Sequence, residues 1–333
     1  MLLPCLLALT ACSAGTPAPT KSPAGTGYES GYESPGATVL APVRGTTVPA
    51  GSVDNPSLAA KIDNHEAARP QVALERTDIV FEELVEGGLT RYVALWQSDV
   101  PELVGPVRSI RPMDPDIIAP FGGIVAYSGG QQQFVDLMEA TDVINVSHDR
   151  DDTGVFYRDD ARDAPHNVIL KAKEVVDRND TVAPPRQQFA YAATVSGSSA
   201  AVDGAPVSAI NSRFSDQRWP GWTWDAASTT YLRSQEGAPD LDGSGAQLRA
   251  TNVLILRVVI DETSTNVPKT TLIGSGEAWV SAGGKSLHAT WSKSGQDAPI
   301  RLVDDNGVTV RLAAGNTWIE LVPADRGSVE LLP

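Results

Sequence analysis

Between Leu58 and Asn179 the apolar positions follow two different periods. Ala59–Asp63, Asp78–Glu86, Leu89–Gln97 and Gly123–Tyr127 are short runs that suit strands. Within Gln131–Ala140, Phe134, Leu137 and Met138 fall on one helical face, and Lys171–Arg178 is a second helical candidate. This mixture predicts an α/β or α+β domain. The stretch Asp180–Gln188 (DTVAPPRQQ) predicts a linker, and beyond it the pattern changes. Val253–Ile260, Glu277–Ser281, Ser286–Trp291, Ile300–Val303, Val308–Leu312 and Thr317–Val322 are short strand-like runs. Gly283-Gly284, Asp305-Asn306-Gly307 and Gly315-Asn316 divide them. The expected fold class is α+β: a mixed α/β domain over 56–182 and a mostly β domain over 183–333.

One strand pair carries unusual charge. Phe81–Arg91 reads FEELVEGGLTR, with three glutamates and an arginine inside an apolar run. Gly87-Gly88 predicts a two-residue hairpin turn, pairing Glu86 with Leu89, Leu84 with Arg91 and Glu82 with Val93. Alternation then puts Glu82, Glu86 and Arg91 on one face and Glu83 on the other. Both faces are apolar, which predicts a central strand. Charge there is costly unless it is paired, and Arg91 is a diagonal neighbour of both Glu82 and Glu86. Two explanations stand: a hairpin tip in water with a surface ion pair, or carboxylates lining a cleft as an acid and a base.

The N-terminus changes the setting. Leu2–Ala11 is an apolar run of secretory length, too short to span a bilayer, and Leu9-Thr10-Ala11-Cys12 resembles the bacterial lipobox. In that resemblance Cys12 is lipidated and residues 1–12 are the signal and its cleavage site. No Lys or Arg precedes the run, which points to a translation start assigned too late. Residues 13–55 are rich in Gly, Pro, Ser and Thr, contain a tandem GYES, and are expected to be a disordered tether of roughly 35 Å root-mean-square span. Cys5 and Cys12 are the two cysteines of the chain, so the expected domains have neither a disulfide framework nor a thiolate metal site. The net charge of -15 argues against nucleic acid as a partner. Contact with the membrane is expected through the lipid anchor alone, at the outer face of the cytoplasmic membrane.

Several stretches together resemble one family. KIDNHEAARPQ (Lys61–Gln71), DIVFEELVEGGLTR (Asp78–Arg91), VGPVRSIRP (Val104–Pro112) and APHN (Ala164–Asn167) are similar to the YerB-like bacterial lipoproteins. NVLIL (Asn252–Leu256), GSGEAWV (Gly274–Val280) and GNTWIELVP (Gly315–Pro323) extend the resemblance to Pro323. It implies an exported, lipid-anchored protein with two domains, and carries no reaction with it.

The candidate chemistry is therefore read from the residues. Arg69, Arg91, Arg108 and Arg111 lie in or beside these motifs, and arginine forks bind carboxylate or phosphate. Each equally suits neutralising a neighbour such as Asp63, Glu82 or Asp114. Ser128 follows an apolar strand and precedes a helix, which suits a helix cap, an anion site, or a nucleophile with His166 as base. His166 and Asn167 sit in a polar loop as candidate base and donor. Trp219, Trp222 and Trp224 suit either core or a sugar-stacking platform. No metal-binding spacing and no nucleotide or cofactor motif occurs. The expected function is binding of a cell-wall component, a peptidoglycan-type glycan or an anionic wall fragment, in a Glu/Arg/His cleft. The alternatives are a glycan-cleaving hydrolase using Glu82 or Glu83 with Asp63 or Asp114, a serine hydrolase, or a protein-interaction scaffold.

Overall fold

A computed structural model describes residues 36–262 and 267–333. Cys12 and the GYES repeat lie outside the described residues. Strands dominate, at 43% of the described residues against 14% for helices, so the fold is largely β. Both expected helices form: Gln132–Glu139 buries Phe134 and Met138, with Val135 in place of the expected Leu137, which is exposed, and Ala172–Asp177 buries Val175 and Val176. Asp114–Ile118 and Ser199–Asp203 are further short helices without a sequence expectation.

The strand Ile79–Leu84 explains the architecture. Every residue in it is buried, so it needs hydrogen-bonding neighbours on both edges and apolar packing on both faces. Thr90–Trp96 pairs with one edge, antiparallel. Thr317–Pro323, nearly the end of the chain, pairs with the other in parallel, setting Trp318 beside Val80 and Glu320 beside Glu82. One sheet thus runs through both halves of the sequence. From one end its strands are Ala205–Pro206, Lys285–Lys293, Gly274–Ala282, Asn252–Asp261, Thr317–Pro323, Ile79–Leu84, Thr90–Trp96, Leu58–Asp63, Ile124–Tyr127 and Ile144–Ser147. The two segments expected as separate domains share this sheet, and Ala37–Pro333 is one compact unit. Residues 183–188 between them carry no regular element, and Gln188 Nε2 donates to Pro120 O at 2.9 Å.

Each sheet face has its own core. On one, Phe81, Val93 and Ile319 pack with Ile117 and Phe134. On the other, Val80, Tyr92 and Trp318 pack against Trp222 and Ile210 of a second sheet, ordered Ala238–Pro239, Thr230–Gln235, Pro220–Asp225, Ala209–Arg213, Ser328–Leu332. Trp222 meets Trp318 edge-on at 5.3 Å and Trp224 packs on Tyr231, whereas Trp219 stays exposed.

Two local expectations change. The compact unit that includes the sheet takes in Ala37 onward, before the expected end of the tether at Asn55. Ala41 and Val43 are fully buried there, Tyr191 Oη donates to Val43 O at 2.8 Å, and Arg44 pairs with Asp78 at 3.1 Å. The hairpin also has a different register. Glu83 faces Arg91 and Glu82 faces Tyr92, because the loop holds three residues, Glu86-Gly87-Gly88, closed by Val85 N donating to Leu89 O at 2.8 Å. Both glycines take left-handed φ values, 69° and 73°. The one-residue slip moves Arg91 to the other face, beside Glu83 rather than Glu82.

Candidate anion-binding site

Strand alternation sends Glu82 and Glu83 to opposite faces of the sheet. Glu82 is fully buried. It accepts from Thr90 Oγ1 at 2.6 Å, Asn64 Nδ2 at 3.3 Å and Arg233 at 2.5 Å. Arg233 is also fully buried, pairs with Asp240, donates to Gln235 Oε1 at 2.5 Å, and lies over the rings of Trp318 (4.8 Å), Tyr92 (5.6 Å) and Trp222 (5.7 Å). Glu320 accepts from Trp222 Nε1 at 2.7 Å. Burial, then the charge of Glu82, raises its pKa to about 7. This closed network rivets the two sheets together.

On the opposite face Lys61 donates to Glu83 and to Asp114 Oδ1, the latter at 2.7 Å, and Asp114 Oδ2 accepts from the Arg111 amide at 2.6 Å. Burial, then the charge of Asp114, pushes the Glu83 pKa up to about 8. Glu83 Oε2 has no hydrogen-bond partner, which suits a protonated acid better than a carboxylate. Glu82, Glu83 and Asp114 are all sealed from solvent, and none lines a cavity with Asp63. As placed, the glutamates hold the fold together and do not form an acid–base pair across a cleft.

The open site lies one step along the strands. Asp63 is directly opposite Arg91 across the Leu58–Asp63/Thr90–Trp96 pair. The loop 105–112 is laid along this end of the sheet by backbone bonds: Asp63 N to Pro106 O (2.9 Å), Arg108 N to Lys61 O (2.8 Å), Ser128 N to Arg108 O (2.9 Å) and Ile110 N to Gly129 O (2.9 Å). That anchoring brings Arg108 and Arg111 to Arg91. With Asp63, His65, Glu86 and His166 they line a cavity of about 180 Å³. Arg108 Nε lies 3.1 Å from Asp63 Oδ2, and Arg111 Nε donates to Glu86 Oε2 at 2.8 Å. His166 Nδ1 is 2.6 Å from Asp63 Oδ2, so this nitrogen carries the proton, and its ring stacks on His65 at 4.3 Å.

The charges here do not cancel. Two arginines have a carboxylate partner, and the third does not. Arg91 is only 8% exposed, donates to Ser109 O at 2.9 Å, and makes no ion pair among the described residues. Burial, then the neighbouring Arg111 and Arg108, pulls its pKa down to about 10. For Glu86, burial works to raise the pKa, but the Arg111 hydrogen bond and the Arg91 charge hold it below the usual carboxylate value.

The remaining candidates play other parts. Arg69 donates to Asn64 and pairs with Glu236 at 2.8 Å, tying the 64–70 loop to the second half. Asn167 accepts from Arg158 at 2.8 Å and fastens its own loop. The Ser128 hydroxyl meets that of Ser109 at 3.4 Å rather than His166. His65 was not singled out by the sequence, although it stands two residues from Asp63 in the same motif. Lys61, Arg233 and Glu320 had no local signal, since their partners are far away along the chain. Among the described residues no group of three His, Cys, Asp or Glu side chains is arranged to hold a metal, and no helix is long and apolar enough to cross a membrane.

Comparison with known proteins adds a family to this geometry. Residues 45–184 match the N-terminal domain of a protein family of unknown function (DUF3048), and residues 210–319 match its C-terminal domain. The chain belongs to this YerB-like family. It is 24% identical over 297 residues to the "Putative lipoprotein YerB" of Bacillus subtilis (strain 168), covering 85% of this chain and 86% of the relative. The crystal structure of YerB protein from Bacillus subtilis superposes with a TM-score of 0.76 at 23% identity, over 88% of this chain and 99% of that one. The likeness extends over both halves, so the family fold includes the segments that build the shared sheet.

Proposed function

We propose that this chain is a lipid-anchored extracytoplasmic protein whose Arg91/Arg108/Arg111 pocket holds the anionic group of a cell-envelope ligand. The lipobox resemblance at Leu9–Cys12 and the description of the Bacillus relative as a lipoprotein support the anchor. The observation that carries the binding reading is Arg91. A buried guanidinium that makes no direct ion pair, and shares the Asp63 and Glu86 carboxylates with two other arginines, is costly. An incoming carboxylate or phosphate, bound bidentately, removes that cost. The protein as a whole carries -15, so a local excess of arginine has to be built against the general field. A cavity of about 180 Å³ falls below the roughly 300 Å³ at which ligand pockets begin, so it suits an anionic group and not a whole sugar chain.

Thermal unfolding of the full chain with inorganic phosphate and with a carboxylate-bearing peptidoglycan fragment tests this. Binding to the native state alone raises stability by about 2.7 kcal/mol at a hundredfold excess over Kd. The midpoint should rise for the wild type and stay put for Arg91→Gln and Arg108→Gln. An equal rise in Arg91→Gln would remove the proposal.

A further inference from the structure

The WPGWTW segment leaves one tryptophan outside the core. Alternation along Pro220–Asp225 turns Trp222 and Trp224 inward and leaves Trp219, just before the strand, on the outer surface, 43% exposed. Its ring has no aromatic partner among the described residues. An indole left in water forgoes one of the largest apolar burials a side chain can make.

Its surroundings are polar. On the neighbouring strands Asn211 is opposite Glu330, and Arg213 is opposite Ser328. Asn211 Nδ2 donates to Glu330 Oε2 at 3.1 Å, and Arg213 donates to Asp216 Oδ1 at 2.6 Å. These side chains and Trp219 line an open depression of about 520 Å³. Gly221, on the adjacent strand, packs closely behind Asn211. A Cβ there would come within 2.7 Å of Ser234 Oγ and 3.3 Å of Asn211 Oδ1.

We infer that this depression is a glycan-binding subsite, with Trp219 as the stacking platform for a sugar ring and Asn211, Asp216 and Glu330 as partners for its hydroxyls. A pyranose has an apolar C–H face and a rim of hydroxyls, and the depression offers an exposed ring beside amide and carboxylate groups. Its volume lies within the roughly 300–1,000 Å³ of small-molecule sites. Arg213 is neutralised by Asp216, and Glu330 leaves one negative charge over, so the subsite disfavours an anionic glycan. In this it is the opposite of the arginine pocket and does not depend on it.

The test is calorimetric titration of the full chain with the soluble tetramer of N-acetylglucosamine. The wild type should bind in about the millimolar range. Trp219→Ala should weaken binding at least about tenfold, while Trp219→Phe, which keeps a flat ring, should retain most of it. Arg91→Gln should bind the tetramer like the wild type, which separates this subsite from the anion pocket. Because Trp219 is on the surface, both Trp219 variants should melt close to the wild-type temperature. No binding by the wild type, or undiminished binding by Trp219→Ala, would overturn the inference. So would equal losses in the alanine and phenylalanine variants.

Discussion

Replacing Glu83 with glutamine removes its titration and keeps its shape. In the folded protein, burial and Asp114 raise its pKa from 4.5 to about 8. Between those values the native state holds a proton that the unfolded chain has released. Stability therefore falls as pH rises through this window. The Glu83 contribution is fully present below about pH 4.5, is lost as pH climbs to about 8, and is flat above that. At 1.36 kcal/mol per unit, the whole window amounts to about 5 kcal/mol. Glutamine still accepts from Lys61 but cannot ionise beside Asp114. Glu83→Gln should thus lie within about 1 kcal/mol of the wild type near pH 5. By about pH 9 it should be the more stable protein by several kcal/mol. Urea unfolding of both proteins, followed by far-ultraviolet circular dichroism between about pH 5 and pH 9, measures the difference directly. A gap that stays constant across the series would refute the protonated, sealed Glu83. A glycan-cleaving role would instead require an exposed carboxyl whose loss abolishes turnover.

Arg233→Met leaves Glu82 and Asp240 buried without their cation and should cost about 3–5 kcal/mol in urea unfolding at neutral pH. Glu320→Gln should flatten the part of the stability loss that occurs as pH rises through about 7, because the folded state holds that proton up to there; a pH series of unfolding midpoints reads it. Gly123→Ala should lower the thermal midpoint, at a cost of at least about 1–3 kcal/mol, since φ is +71° and a Cβ would sit 2.4 Å from Ser57 O.

How much of this was legible in the sequence depended on how local the determining contacts are. The opposite facing of Glu82 and Glu83 follows from strand period alone, and the helix over Gln132–Glu139 from its apolar spacing. Gly87-Gly88 located the turn, but the loop also takes in Glu86, and that extra residue decides which face Arg91 occupies. The motifs around Asp63, Arg91, Arg108, Arg111 and His166 were visible as charged segments. Their meeting in one cavity depends on how the 105–112 loop is hydrogen-bonded to the sheet, which no spacing encodes. The partner of Glu82 was out of reach, since Arg233 lies 151 residues away. So was the parallel pairing of Ile79–Leu84 with Thr317–Pro323, which joins the halves that the proline-rich 180–188 stretch suggested were separate.

Calorimetric titration of wild type and Arg91→Gln with a peptidoglycan fragment bearing a free carboxylate, beside its amidated counterpart, tests the arginine pocket most directly. The wild type should bind the carboxylate form at least about tenfold more tightly than the amide, and Arg91→Gln should bind both forms equally weakly. Equal binding of the two forms by the wild type, or an undiminished preference in Arg91→Gln, would contradict the account.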